Sequence, residues 1–196
     1  MLPRSPELMS RGDTALLVVD VQEKLIPHIE GHQRLVFNVG RLIDGARTLA
    51  LPVLASEQYP RGLGPTVAAL ADRLGDIPDK LTFSCGGCAG LFAADGGAFD
   101  QLGDAVHKIL VSGIETHVCV AQTVFDLMAA GYRVFVPVDA VASRHAIDHD
   151  TALRRMESSG ATLTTTEAAL FEWCALAGTD EFKQISRLVK GEEVTR

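Results

Sequence analysis

TALLVVD, residues 14–20, is an apolar run that closes on a carboxylate. A run without polar alternation fits a strand buried on both faces, the habit of a central strand in a parallel sheet. Asp20 then stands at the strand's carboxyl end, where open parallel sheets gather their ligands.

Working outward, Leu35, Val36, Val39, Leu42, Ile43, Ala46 and Leu49 recur at helical spacing over 33–50, and LALPVLASEQY switches to a second strand after Pro52. KILVSG (108–113) reads as a strand, THVCVAQTVFDLMAAG (116–131) as a helix stopping at Gly131, and YRVFVPVDAV (132–141) as the next strand. A helix over 146–159, a short strand ATLTTT (161–166) and an amphipathic helix over 181–190 complete the pattern. Strands alternating with helices predict a three-layer α/β/α sandwich around a mostly parallel, Rossmann-like six-stranded sheet. The 196 residues suit one domain over 13–196, preceded by a flexible arm over 1–12.

Composition narrows the function. The formal charge is −7, and the eighteen Lys and Arg form no basic stripe, which argues against nucleic acid as a partner. No apolar run approaches the roughly 20 residues of a membrane span, and the opening residues have no signal-peptide pattern, so a cytoplasmic protein with no membrane contact is expected. The four cysteines have no secreted-scaffold spacing. The turn after the first strand, DVQEKL, has no glycine cluster to admit a dinucleotide.

Two residues are placed for chemistry. Asp20 and Cys119, the latter in the opening turn of the helix after KILVSG, should reach one crevice. Helix-terminal amides are expected to lower the Cys119 pKa toward a thiolate, although a small core residue is an equal reading from the residues alone. In SGIETHVCV, a polar elbow could aim the Glu115 and Cys119 amides at one oxyanion. Asp20 could shuttle the proton and Lys80 could hold the anionic sulfur, though a lysine in IPDKLTFS is by itself more readily a solvated surface residue.

Taken together, DVQEKLIPHI, ASEQYPRGLGPTV, KLTFS and SGIETHVCVAQTVFDLMAAGY, in this order, resemble the isochorismatase-like cysteine hydrolases, over about Thr14 to Lys190. The resemblance implies a triad of Asp20, Lys80 and Cys119, a non-proline cis peptide between Ile114 and Glu115, no cofactor, and a homo-oligomer. The metal-dependent nicotinamidase branch carries an Asp-x-His cluster after its second strand; Gln58, Tyr59 and Pro60 occupy that region here, so no metal site is expected. EQYPRGLGPT is similar to the branch of isochorismatase domain-containing proteins. Because Cys119 is present, the expected substrate is a small amide-, carbamoyl- or imide-like carbonyl compound cleaved through a thioester. Gln22, Gln58, Tyr59 and Phe83 are the expected pocket walls. The competing reading is a non-catalytic interaction protein on the same fold.

Three further features have bland readings. Cys85-Gly-Gly-Cys88 has dithiol spacing without the context of a redox protein or the second half of a zinc site, so a structural or incidental role is expected; the alternative, if Cys85 lines the pocket beside Phe83 and Ser84, is a disulfide with Cys119 under oxidation. His117 lies two residues before Cys119, so the two should point to different sides of a helix. His145 and His149 are four apart near a helix start and read as surface imidazoles.

Overall fold

A computed structural model describes residues 3–92 and 96–191. In chain order the elements are β1 (Thr14–Val19), α1 (His32–Thr48), β2 (Val53–Gln58), α2 (Pro60–Leu63), α3 (Ala68–Ala71), β3 (Asp79–Lys80) and β4 (Lys108–Ile114). There follow α4 (Ala121–Ala129), β5 (Arg133–Pro137), β6 (Val141–Ala142), α5 (Ala146–Ser158), β7 (Thr162–Thr164), α6 (Thr166–Cys174) and α7 (Asp180–Lys190). The sheet runs β3-β2-β1-β4-β5-β7, with every pairing between these neighbours parallel. The two-residue β6 pairs with the end of β4, making a seventh strand where six were expected.

Burial explains the continuous apolar runs. Along β1, Leu16 and Val18 pack into a core under α1, α6 and α7, whereas Ala15, Leu17 and Val19 pack into a second core with residues of α4 and α5. Both faces are covered, and each buried Leu or Val contributes roughly 1.5–3 kcal/mol. In α1, Leu35, Val39, Leu42, Ile43 and Ala46 present one apolar stripe to the first core.

Strand order reverses beside β1, whose neighbours are β2 and β4. This is the switch point of an open α/β sheet, and beyond the carboxyl ends of the strands at such a point ligands bind in folds of this class. Gly113 makes the close approach of β4 to β1 possible. Its φ is +117°, and a Cβ there would lie 2.0 Å from the Val19 carbonyl oxygen.

Several elements depart from the sequence reading. The helix expected over 116–131 opens as a π-helical turn over Thr116–Val120 before α4 begins. The strand expected over 132–141 is two, because the chain turns after Pro137 and Ala140 donates back to the Pro137 carbonyl. The strand expected over 161–166 stops at Thr164, and Thr165 caps α6 by accepting from the Ala168 amide. The opening arm, expected to be loose, is docked over residues 3–13. Met9 is fully buried, and Lys108 Nζ donates to the Leu8 carbonyl and to Asp13 Oδ2, both at 2.8 Å. Among the described residues, no helix is long and apolar enough to cross a membrane.

Candidate active site

The end of β1 sets the site. Asp20 adopts a left-handed backbone (φ 51°), which Asp tolerates better than most residues, and its side chain is fully buried. A buried carboxylate needs a partner, and the structure supplies Lys80 from the end of β3, with Nζ 2.7 Å from Asp20 Oδ2. Lys80 also donates to Gln58 Oε1 (2.9 Å) and to the Phe83 carbonyl (2.9 Å), and a longer contact reaches the Thr82 carbonyl (3.3 Å). Its ammonium hydrogens are thereby all directed at protein acceptors.

Strand β2 orients both members of the pair. Ser56 Oγ donates to Asp20 Oδ1 (2.8 Å), and Gln58, two residues on and so on the same face, accepts from Lys80. The backbone adds to this, since the Asp20 amide donates to the Ser56 carbonyl. Ser56 had no signal in the sequence beyond its place at a strand end next to β1; period 2 from Gln58 would have exposed it.

Cys119 lies in the π-helical turn, 6% exposed, and faces the same carboxylate. Burial pushes its thiol up, and the negative charge of Asp20 pushes it further, with Lys80 opposing. This overturns the expectation of a lowered pKa. One helical turn contributes roughly 0.3–1 kcal/mol, which desolvation and an adjacent carboxylate outweigh. Burial also raises the Asp20 carboxyl above the usual carboxylate range, against the lowering effects of Lys80, Cys119 and Ser56. Burial and the facing carboxylate thus both favour the neutral thiol at Cys119, and burial favours the neutral acid at Asp20.

The elbow before Cys119 is braced by residues that follow β6 and by α5. The Ile114–Glu115 peptide is cis, and the Glu115 carbonyl accepts from the Val118 and Val120 amides. Glu115 Oε1 takes the amide and Nε of Arg144, at 3.0 and 2.9 Å, and this pairing leads the effects that hold its carboxyl low against burial, which raises it. His117 Nδ1 meets Ser143 Oγ at 3.0 Å, and His149 Nδ1 meets Thr116 Oγ1 at 3.0 Å. Burial lowers the His149 pKa, in keeping with a neutral hydrogen-bonding ring. Among the described residues, no group of three His, Cys, Asp or Glu side chains is arranged to hold a metal ion.

The four expected pocket residues divide into two kinds. Gln22 is fully buried; its Nε2 donates to the Gln58 and Gly64 carbonyls (3.0 and 2.7 Å) and its Oε1 accepts from the Gln58 amide (2.8 Å). It clamps β2 and the 58–64 turn to the loop after β1. Gln58 holds Lys80 and donates from Nε2 to the Leu81 carbonyl at 2.9 Å. Tyr59 and Phe83 are half-exposed and flank the Lys80 segment in sequence and in hydrogen bonding, Tyr59 through its amide to the Lys80 carbonyl, Phe83 through its carbonyl to Nζ. Both oxyanion candidates, Glu115 and Cys119, fall on the elbow.

Known proteins share this arrangement of chain. An isochorismatase domain protein of cattle, isochorismatase domain-containing protein 2, is 37% identical over 179 residues, covering 91% of this chain and 84% of the relative. A secreted isochorismatase effector, Isc1, of Phytophthora sojae is 35% identical over 188 residues, covering 90% of this chain and 84% of the relative. The solved structure of MAR1 ribonuclease from Caenorhabditis elegans superposes with a TM-score of 0.83 at 36% identity, covering 93% of this chain and 92% of that one. The isochorismatase domain model matches residues 14–168, from the first residue of β1 into α6, and the chain belongs to the isochorismatase family of hydrolases.

Proposed function

We propose that this protein is a metal-independent cysteine hydrolase that cleaves a small amide-, carbamoyl- or imide-like carbonyl compound through a thioester on Cys119. The observation that carries the reading is the Asp20–Lys80 pair, fully buried, with the only half of the carboxylate not held by Lys80 bonded to Ser56 and the thiol of Cys119 against it. A structural ion pair of this kind is a costly way to gain stability, so its place at the switch point beside a cysteine favours chemistry.

In the proposed cycle, Asp20 removes the thiol proton as Cys119 sulfur attacks the substrate carbonyl carbon. The carbonyl π electrons move onto oxygen, and the Glu115 and Cys119 amides stabilise that oxyanion. Collapse re-forms the carbonyl and breaks the bond to nitrogen; the leaving amine takes the proton from Asp20. Water then attacks the thioester while Asp20 takes its proton, and the departing sulfur recovers that proton from Asp20. Lys80 keeps the carboxylate fixed and balances its charge. Tyr59 and Phe83 form the outer wall, and Gln22 and Gln58 position the wall and the triad. A homo-oligomer in the cytoplasm is proposed on the resemblance; light scattering and fractionation test those two points.

The experiment is intact-protein mass spectrometry during a screen of small amides, ureido compounds, imides and a short RNA, the last because of the nematode relative's name. The reading requires an acyl adduct that forms on the native chain, decays with turnover, and is absent in Cys119→Ala. Turnover without any adduct in the native chain, or equal turnover in Cys119→Ala, overturns it. No turnover and no adduct across the screen favours the interaction-protein reading.

A further inference from the structure

Cys85 is not part of the triad, yet the structure connects it to the same carboxylate. Its side chain is fully buried, and its Sγ lies 3.2 Å from Ser56 Oγ. The single Ser56 hydrogen is directed at Asp20 Oδ1, so Cys85 is the donor in that contact. A second hydroxyl joins the two cysteines through the backbone: Thr123 Oγ1 accepts from the Cys85 amide at 2.9 Å and donates to the Cys119 carbonyl at 2.6 Å. Cys88, the other half of the dithiol spacing, points elsewhere, its Sγ directed at the Asp79 carbonyl at 3.6 Å. Asp20 therefore serves two thiols, Cys119 directly and Cys85 through the Ser56 hydroxyl.

We propose that Cys85 is the resolving thiol of a hydroperoxide-driven modification of the active site, closing a Cys85–Cys119 disulfide that silences the nucleophile and shields it from irreversible oxidation. The proposal rests on Cys119 being the reactive thiol. Cys119 sulfur, its proton passed to Asp20, attacks one peroxide oxygen; the O–O bond breaks, an S–O bond forms, and the departing hydroxide takes the proton from Asp20 to give the sulfenic acid and water. Cys85 sulfur then attacks the sulfenic sulfur while its proton moves to Ser56 and the Ser56 proton moves to Asp20. The S–S bond forms, the S–O bond breaks, and the leaving hydroxide departs as water with that proton. Two thiols lose two hydrogens in total, and one peroxide is reduced to two waters. The spacing within CGGC is incidental to this chemistry: the partner of Cys85 is Cys119, packed in the same core on the same face of the sheet, not the cysteine three residues on.

The test treats the full native chain with hydrogen peroxide and maps its cysteines by non-reducing peptide mass spectrometry, with dimedone present in a parallel sample to trap sulfenic acid. The expected product is a Cys85–Cys119 cross-linked peptide, two hydrogens lighter than its parents, reversed by dithiothreitol together with recovery of acyl-adduct formation. Cys85→Ser should instead give the dimedone adduct on Cys119 and then irreversible sulfinic acid. Ser56→Ala should slow the cross-link at least about tenfold, since the proton path is broken. A native chain whose Cys119 goes to sulfinic acid as fast as that of Cys85→Ser, or that links Cys85 to Cys88, overturns the proposal. If Cys119 forms the acyl adduct but no cross-link, the disulfide alone is refuted. If Cys119 takes neither acyl group nor dimedone, the hydrolase reading falls with it.

Discussion

Replacing Lys80 with Met keeps the aliphatic stem and removes the ammonium. The consequence follows from burial: Asp20 and Lys80 side chains are both 0% exposed, and Lys80 is the partner of Asp20 Oδ2, Gln58 Oε1 and the Phe83 carbonyl. Removing one member of a buried pair costs about 3–5 kcal/mol, a large share of the roughly 5–15 kcal/mol that holds a domain folded. At about 2–4 °C per kcal/mol for a chain of this size, Lys80→Met should lose roughly 6–20 °C in Tm. Trp173 is the single tryptophan and is buried, so its fluorescence during urea unfolding reports the change. The loss also carries a pH signature. Burial already raises the Asp20 carboxyl, and without Lys80 it rises further. A carboxyl that binds its proton more tightly when folded loses stability as pH climbs from its unfolded value, about 3.9, through its raised folded value. The gap between native and variant should therefore be widest near neutral pH and narrow toward pH 4. Adding Asp20→Asn, which tolerates the left-handed backbone, should return about 2 kcal/mol by removing the stranded charge. A loss below about 1 kcal/mol with no pH dependence would refute the reasoning, because an ion pair that costs nothing to break is not desolvated.

Three other perturbations test other parts of the account. Gly113→Ala puts a Cβ within 2.0 Å of backbone at a φ of +117°, so β1 and β4 must part; a loss above about 4 kcal/mol, seen as insoluble expression or a collapsed Tm, is expected. Gln22→Ala removes three buried hydrogen bonds and should cost about 2–4 kcal/mol, with faster amide exchange concentrated in residues 58–64. Asp20→Asn takes away the carboxylate that accepts the Cys119 proton, so labelling of Cys119 by iodoacetamide near pH 7.5 should slow; labelling as fast as in the native chain would show that the thiol does not depend on Asp20 to lose its proton.

The fold was legible wherever both faces of the sheet are covered. β1 and β4 read correctly because burial on two sides demands an unbroken apolar run, and α1 because its stripe keeps helical spacing for four turns. α6 was not legible: its buried side is Thr166, Ala169, Leu170 and Trp173, with three apolar residues alone, and its Thr165 cap reads equally well as the end of a threonine-rich strand. The docked opening residues depend on Lys108, a lysine whose burial is decided by Asp13 and the Leu8 carbonyl rather than by anything adjacent in sequence. In the site, Asp20 announced itself at a strand end. Lys80 stood out only through the resemblance that KLTFS helps to carry; its place beside Asp20 depends on β3 pairing with β2, which brings it sixty residues back to Asp20. For Cys119 the helix geometry and the nearby Asp20 are both legible, but not the depth of burial, and burial is the main cause that pushes the thiol up.

The most direct test is a single-turnover acylation of the native chain and of Asp20→Asn, using whichever carbonyl compound gives an adduct in the screen and reading the adduct by quenched mass spectrometry. The account predicts that the adduct sits on Cys119 and that Asp20→Asn slows its appearance by about 10²-fold or more. An adduct on another residue, or native acylation rates in Asp20→Asn, would contradict it.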